Sequence, residues 1–266
     1  MAKFIEFSSP PLVKYCPSAY NIKTGCNTIR LGTLFSYRKE ENEKLRDIGE
    51  GKFKFSIQFP KLSPVSNDWV SEFEFGGHED GTGYAAIEEM AIISGQAHIK
   101  GVEIYGSTHN CWIYCLSLSE NSSAGSITET HDSFWEINAK NLGAFAGHLS
   151  NLLWSSISVK DIPDYLLIEN GFNELASGLQ LEVDIQPVSY EERSICIEQE
   201  ADFPISEVRH LKNKIAFIKP ENFRDEKELR IAFWLKFREK RISIKDNPKI
   251  LLLRPVDKLL SAENYL

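Results

Sequence analysis

The chain has 266 residues, 42% of them hydrophobic and 26% charged, and this ordinary globular balance excludes wholesale disorder. A net charge of −8 argues against nucleic-acid binding over the whole surface, because phosphate neutralisation requires clustered Lys and Arg. The sequence carries no run of about 18 apolar residues and no secretory signal, so we expect no membrane span and no export. The five cysteines are too sparse for a disulfide scaffold and fit a reducing cytoplasm.

Runs rich in β-branched, aromatic and leucine residues dominate the sequence, and several of them alternate in polarity as strands do. We therefore expect an α+β protein whose sheet is mostly antiparallel, folded as a single domain over residues 1–266. The predicted strands are 28–35, 53–59, 112–118, 179–185 and 229–237.

Apolar residues spaced three and four apart predict two helices, at 84–93 and at 142–154. The segment 206–214 is a weaker helix candidate, and 221–226 should form a short helical turn after Pro220. Two segments rich in Ser, Gly, Asn and acidic residues, 61–83 and 120–133, are predicted to be long loops.

The first chemistry-bearing motif lies on the predicted strand 28–35. Arg30 should project from the sheet opposite its apolar neighbours, and its rigid donor fork suits a diphosphate or a carboxylate. Gly32 would allow a ligand or another backbone to approach closely. The alternative is a structural ion pair between Arg30 and an acidic residue.

The second motif is the end of the strand 112–118, where the hydroxyl of Ser117 could orient a ligand. Serine also serves ordinary turn chemistry at strand ends, and that alternative stays open. Cys115 is interpreted as a small buried hydrophobe, because no base for a nucleophilic thiol is evident.

The third motif opens the predicted strand 229–237. Glu226, Glu228 and Arg230 share one face if the strand begins early enough. Two carboxylates at i and i+2 would then raise each other's proton affinity, a common device in acid/base chemistry. The alternative is an exposed edge of charge stabilised by Lys227 and Arg230.

Taken in order, Arg30, Ser117 and Glu228 resemble the R-S-E pattern of ADP-ribosyltransferases. The resemblance implies a bent, mostly antiparallel, split β core with packed helices and a cleft for NAD as substrate. Arg30 would hold the NAD diphosphate, Ser117 would support the ribose, and Glu228 would hydrogen-bond the nicotinamide ribose. Glu226 would be a companion catalytic carboxylate.

The same resemblance implies further cofactor-binding candidates and partners. Gly32, Thr33, Tyr37 and Tyr114 are the additional candidates for binding NAD, and Trp135 is a further aromatic that could stack on the ligand. The implied activity is that of a toxin or anti-phage defence effector that modifies a nucleic acid or a protein. A basic stretch over 236–254 could grip a nucleic-acid acceptor, and a neutralising antitoxin or chaperone is an expected partner.

A second resemblance covers the whole chain. The sequence looks like a large, mostly uncharacterised bacterial family that pairs a tyrosine-cysteine-x-serine strand with a late strand carrying glutamate and arginine. The residues that carry this resemblance are Tyr114, Cys115, Ser117, Phe217, Lys219, Phe223, Glu228 and Arg230.

Two departures and two alternatives accompany the transferase hypothesis. The sequence has no Ser-Thr-Ser after the middle strand, and the charged Lys227 separates Glu226 from Glu228. A metal-dependent nuclease could use Asp164 with Asp225, Glu226 and Lys227, and a non-catalytic interaction module would use the charged faces for recognition. The six histidines show no metal-ligand spacing, so we expect no structural metal, and no phosphate-binding glycine loop is present.

Overall fold

The computed structural model describes residues 11–39, 50–72, 83–118, 131–190 and 194–253. It is a mixed α+β structure in which most strand pairs are antiparallel, which confirms these two coarse predictions. The strands are β1 (Leu12–Cys16), β2 (Thr28–Thr33), β3 (Lys52–Val65), β4 (Gly83–Ile93), β5 (Gln96–Ser107), β6 (Trp112–Ser117), β7 (Ser133–Ile137), β8 (Leu179–Pro187), β9 (Ser189–Tyr190), β10 (Ser194–Cys196), β11 (Ile218–Lys219), β12 (Glu228–Phe237), β13 (Lys240–Ile242) and β14 (Lys249–Leu252).

The helices are short and lie between the strands. They are α1 (Asn67–Glu72), α2 (Leu142–Trp154), α3 (Asp164–Asn170), α4 (Phe172–Gly178) and α5 (Ile205–Lys214). Turns of 3-10 helix lie at Ser18–Tyr20, Ile22–Thr24, Ser36–Lys39, Ala139–Asn141, Val159–Asp161, Glu200–Asp202, Ile215–Phe217 and Glu221–Glu226. No helix in the ranges given above is long and apolar enough to cross a membrane.

By its internal contacts the chain divides into two compact units. The first comprises Met1–Ile48, Asn110–Val188 and Asn222–Leu266, and the second comprises Gly49–His109 and Ser189–Glu221. A division by contacts does not show that either unit folds alone, so the single-domain organisation stays a prediction.

The first unit is built on a sheet centred on β12. β12 pairs with β8 in antiparallel fashion along one edge. Along its other edge, the first part of β12 pairs with β6 and the last part pairs with β13, both antiparallel. The sheet forks beyond β6, because Trp112 and Ile113 pair with β2 whereas Ser117 pairs with β1. β14 extends the first branch by pairing with β2, and β7 extends the second by pairing with β1.

The core of this unit lies on the sheet face that α2 covers. Strand alternation turns Leu229, Ile231 and Phe233 of β12 toward this face, where they pack with Phe145 and Leu149 of α2. The predicted helix at 142–154 is confirmed, since its periodic apolar residues are the ones that are buried. Glu228 and Arg230, on the opposite face of β12, belong to the candidate site.

The second unit contains a four-stranded sheet in the order β10, β3, β5, β4. Its core includes Phe55 and Ile57 of β3 and the fully buried Trp69 of α1. The indole of Trp69 donates a hydrogen bond to the Phe203 carbonyl oxygen at 2.7 Å, so its single polar atom is satisfied within the core.

The helix predicted at 84–93 is wrong, because this segment is β4. Its Ala, Glu and Met residues favour a helix locally, but β4 pairs with β5 from Gly83↔Gly106 to Ile93↔Gln96. This ladder pairs one edge of the segment with β5 along nearly its whole length and outweighs the weak local preference.

The loop predicted at 61–83 is wrong in part. β3 runs on to Val65 past an irregularity between Gln58 and Ser63, and α1 follows at Asn67–Glu72. Residues 73–82, and most of the loop predicted at 120–133, lie outside the described residues, although Ser133 already belongs to β7. The helix at 206–214 and the turn at 221–226 are confirmed as α5 and a 3-10 helix.

Candidate functional site

Two of the predicted site residues face each other across adjacent strands. In the antiparallel pairing of β6 with β12, Ser117 lies opposite Glu228, and Cys115 lies opposite Arg230. Cross-strand partners have Cβ atoms about 4.5–5.5 Å apart, so a hydroxyl and a carboxylate widely separated in sequence become direct neighbours. The tertiary structure therefore brings together the second and third predicted motifs.

Arg230 and Glu228 form a buried ion pair. The Arg230 Nε donates to Glu228 Oε1 at 2.8 Å, and the two side chains are only 1% and 6% exposed. Arginine stays protonated in proteins, so its guanidinium favours the ionised form of the neighbouring carboxylate. Burying both charges costs desolvation energy, and such a pair is a candidate for function as well as for structure.

These side chains point away from the core that α2 covers. Leu229 and Ile231 of β12 and Leu116 of β6 belong to that core, so the intervening Glu228, Arg230 and Ser117 occupy the opposite face of the sheet. This face is also buried at the site, because Ser117, Glu228 and Arg230 are all at most 6% exposed.

Arg30 lies on the same face of the sheet but at its exposed end. Its neighbours Ile29 and Leu31 are in the core, whereas Arg30 is exposed and pairs with Ile250 of β14. The pairing of β2 with β6 ends at Gly32↔Ile113, and further along β6 Ser117 pairs with β1 instead. No contact among the described residues joins Arg30 to Ser117 or Glu228, so the structure does not bring the first predicted motif to the other two.

Lys14 donates a hydrogen bond at the fork of the sheet, beside this site. Lys14 of β1 donates from Nζ to the Cys115 carbonyl oxygen at 3.0 Å, and its Nζ lies 4.9 Å from the centre of the Tyr114 ring. This carbonyl lies between the parts of β6 that pair with β1 and with β2. The ammonium group therefore supplies a donor where the ladder is interrupted.

Gly32 and Tyr37, both predicted to bind NAD, lie against each other. A Cβ atom added at Gly32 would come within 2.9 Å of Tyr37 Cε2. Tyr37 belongs to the 3-10 turn Ser36–Lys39 that follows β2. The close approach expected at Gly32 is thus made by the tyrosine ring of the same chain.

Thr33 is fully buried and engaged in a local polar network. Its hydroxyl donates to Asp246 Oδ1 at 2.5 Å and accepts from the Ser36 backbone N–H at 3.0 Å. Asp246 Oδ2 also forms an ion pair with Lys39 Nζ at 3.0 Å. These contacts tie the turn after β2 to the residues that precede β14, and they place Thr33 in a structural role.

Tyr114 does not share the face of Ser117. Its ring lies in the core against Trp135 and Phe145, with ring centres 6.5 and 5.8 Å away. Burial raises the pKa of the Tyr114 phenol well above its ordinary value. Trp135 is likewise buried, at 2% exposure. Both aromatic candidates therefore belong to the helix-packed core.

Glu226 does not lie on the strand that carries Glu228. The strand begins at Glu228, and Glu226 ends the 3-10 helix Glu221–Glu226. Between them Lys227 adopts a left-handed backbone with φ of +44°, and its carbonyl accepts the Leu118 N–H at 2.8 Å. The expected i, i+2 pair of carboxylates on one strand face is therefore wrong, because the strand begins two residues after Glu226.

Most cations of the basic stretch at 236–254 are paired with carboxylates. Arg241 bridges Glu182 and Asp184 while stacking on the Trp234 ring, with its guanidinium carbon 4.2 Å from the ring centre. Hydrogen bonds to Glu239 and Glu182 raise the pKa of Lys236 above its ordinary value. The other pairs are Arg238–Glu174, Lys245–Asp164 and Lys249–Asp161.

Across the part of the chain that the structure describes, no group of three or more His, Cys, Asp or Glu side chains could hold a metal ion. Asp164, which the nuclease alternative needs, accepts a hydrogen bond from Lys245 Nζ at 2.7 Å.

The sequence alone pointed to Ser117 and Glu228, but it assigned no function to their neighbour Arg230. The signal was present in the two-residue spacing from Glu228 to Arg230, which puts both side chains on one strand face. Comparison of the chain with protein-family models, with curated proteins and with solved structures found no match in any of the three.

Proposed function

We propose that this protein is an NAD-dependent ADP-ribosyltransferase whose reacting groups are gathered around Glu228. The observation that carries the proposal is the register of β6 and β12, which sets Ser117 opposite Glu228 and beside the buried Arg230. Arg30 supplies an exposed guanidinium on β2, the strand that pairs with β6 at Gly32 and Thr33, and it is the proposed contact for the diphosphate.

The chemistry requires a carboxylate at the buried end. As the bond between nicotinamide and ribose C1′ breaks, its electron pair leaves with nicotinamide and positive charge develops on the ribose. An ionised Glu228 stabilises that charge, and Arg230 holds the carboxylate in one orientation. The acceptor then adds to C1′ and loses a proton. In this proposal Ser117, which lies opposite Glu228, hydrogen-bonds the ribose.

The pairing of the basic stretch favours a protein acceptor over a nucleic acid. A cation that is already engaged by a carboxylate releases fewer counterions when it meets a phosphate, so it adds little to nucleic-acid affinity. Arg238, Arg241 and Lys245 are engaged in this way. The net charge of −8 also disfavours binding to a nucleic acid.

The test is transfer from labelled NAD to proteins of a cell lysate, with wild type compared with Glu228→Gln. We expect the substitution to lower the rate by about 10²–10³, the usual effect of removing one electrostatic contact to a transition state. The matched control is Asp161→Asn, because Asp161 is another buried carboxylate in the same unit, paired with Lys249 at 2.7 Å.

Loss of stability alone should affect both variants, so each is also assayed for unfolding by urea. Retention of near wild-type transfer by Asp161→Asn, with loss in Glu228→Gln, supports a role of Glu228 in the reaction. Equal rates in wild type and Glu228→Gln, or activities that follow stability in both variants, would contradict the proposal. Absence of any NAD turnover by the wild type would do the same.

A further inference from the structure

We infer that Gln186 of β8 binds the carboxamide of nicotinamide and is the residue that selects NAD as the substrate. This inference deepens the proposed function and rests on it, because it assigns the leaving group of the same reaction to a residue outside the three predicted motifs. Gln186 is partly exposed, whereas Arg230 beside it is 1% exposed. The glutamine amide therefore lies on the more accessible side of the buried ion pair.

Strand pairing places Gln186 next to the reacting groups. In the antiparallel pairing of β8 with β12, Gln186 lies directly opposite Arg230. On the other edge of β12, Cys115 lies opposite the same arginine, and Ser117 lies opposite Glu228. The candidate site therefore spans three adjacent strands, and these pairs fix their register.

The side chain of Gln186 points to the same sheet face as Glu228 and Arg230. Val183 and Ile185 of β8 pack against the apolar core that α2 covers, so the alternate residue Gln186 faces the opposite way. Direct cross-strand partners have Cβ atoms about 4.5–5.5 Å apart, and diagonal neighbours are about 7 Å apart. Gln186 is the direct neighbour of Arg230 and the diagonal neighbour of Glu228.

The next residue of β8 on this face is already engaged elsewhere. Asp184 accepts hydrogen bonds from Trp234 Nε1 at 3.1 Å and from Arg241 Nη2 at 2.7 Å. These contacts direct its carboxylate toward the far end of β12. Gln186 is therefore the polar side chain of β8 that lies nearest to the buried ion pair.

The chemistry of a glutamine amide matches the carboxamide of the leaving group. Its oxygen accepts hydrogen bonds and its nitrogen donates them, so one side chain can accept from the carboxamide N–H and donate to the carboxamide carbonyl. This carboxamide is attached to the pyridine ring whose bond to ribose C1′ breaks beside Glu228 in the proposed reaction. A diagonal separation of about 7 Å leaves room for the ring between the carboxylate and the amide.

The test compares two dinucleotides that differ only in the carboxamide. The acetylpyridine analogue of NAD carries a methyl group in place of the amide nitrogen, so it cannot donate a hydrogen bond there. We expect the wild type to prefer NAD by about tenfold in kcat/KM, which corresponds to about 1.4 kcal/mol. Gln186→Met keeps the length of the side chain but loses its amide, and the preference should fall below about twofold.

The matched control is Gln180→Met. Gln180 is on the same strand and the same face, but it lies opposite Lys236, and its Nε2 donates to Glu239 Oε1 at 3.1 Å. Six residues of strand, or about 20 Å, separate it from Gln186. This variant should keep the wild-type preference for NAD, and an equal loss of preference in both variants would reject the role of Gln186.

Binding of both dinucleotides to the full chain is also measured by calorimetry, so that this inference and the proposed function can fail separately. NAD turnover with a preference that is absent in the wild type, or unchanged in Gln186→Met, would keep the transferase and reject the role of Gln186. A binding preference for NAD that Gln186→Met abolishes, without turnover by the wild type, would keep the carboxamide contact and reject the transferase. No binding of NAD by the wild type would reject both.

Discussion

At the scale of single residues, the buried pair of Arg230 and Glu228 yields a stability prediction. Replacing one partner removes the opposite charge that lies 2.8 Å from the other in a buried site, so Arg230→Met should lower the free energy of unfolding by about 3–5 kcal/mol. Combining Arg230→Met with Glu228→Gln removes both charges and should cost less than the sum of the single changes. Urea denaturation of the four proteins measures this coupling.

Additive costs in that cycle would show that the two side chains do not stabilise each other. Arg230→Lys adds a second measurement, because it keeps the positive charge but lacks the planar donor fork. We expect Arg230→Lys to be more stable than Arg230→Met and to lower the transfer rate more than its stability loss explains. This separates orientation of Glu228 from simple neutralisation.

Tyr114 predicts how stability depends on alkaline pH. Burial raises its pKa in the folded protein, so the folded state keeps a proton that the unfolded state releases. The stability contribution is therefore fully present below pH about 10, the ordinary value for tyrosine, and is lost as pH rises above it. Tyr114→Phe should weaken this alkaline loss in urea denaturation series, whereas Tyr20→Phe, at a 64% exposed position, should not.

At the scale of secondary-structure elements, two helical glycines should respond in opposite ways to alanine. Gly147 lies within α2 with open space around its Cα, so Gly147→Ala should stabilise the protein by about 0.5–1 kcal/mol through helix propensity. Gly178 ends α4 where an added Cβ would lie 2.7 Å from Cε2 of the buried Phe237. Gly178→Ala should therefore destabilise by about 1–3 kcal/mol.

Thermal unfolding of both alanine variants checks this pair of predictions. A stabilised Gly178→Ala protein would mean that β12, which carries Phe237, shifts easily to accommodate the methyl group. That result would also weaken the interpretation of β12 as a rigid support for Glu228 and Arg230, because all three residues lie on this strand.

The elements differ in how far the sequence alone could predict them. β12 and α2 were predictable because the period of their apolar residues matches the faces that they bury. β4 was not, since its helix-favouring composition is outweighed by pairing with β5, a strand whose register no local pattern reveals. The strand predicted from residue 229 begins at Glu228, but the extension back to Glu226 that the carboxylate pair required does not form, because a left-handed Lys227 precedes the strand.

At the scale of the whole molecule, the charge distribution predicts weak binding to nucleic acids. Because Arg238, Arg241 and Lys245 are paired and the chain is acidic, a labelled single-stranded oligonucleotide should bind with a Kd above about 10⁻⁴ M at physiological salt. Fluorescence anisotropy measures this affinity. Tight binding that weakens steeply with added salt would contradict the preference for a protein acceptor.

A control for this measurement uses the partners of Arg241. Changing Glu182 to Gln and Asp184 to Asn removes both carboxylates that contact its guanidinium. Oligonucleotide affinity should then rise, and its dependence on salt should steepen. An unchanged affinity would mean that Arg241 is not accessible to phosphate even without its two carboxylate partners.

By itself the sequence determined the α+β class and the antiparallel strands, and it marked Ser117 and Glu228 as candidate site residues, because alternation and residue chemistry are local properties that each segment carries. The tertiary structure decided which segments are neighbours: it set Ser117 opposite Glu228, buried Arg230 beside them, turned Tyr114 into the core and left Glu226 off the strand. Strand pairing is a contact between segments far apart in the chain, and its register depends on the packing of both faces at once. No local pattern contains that information.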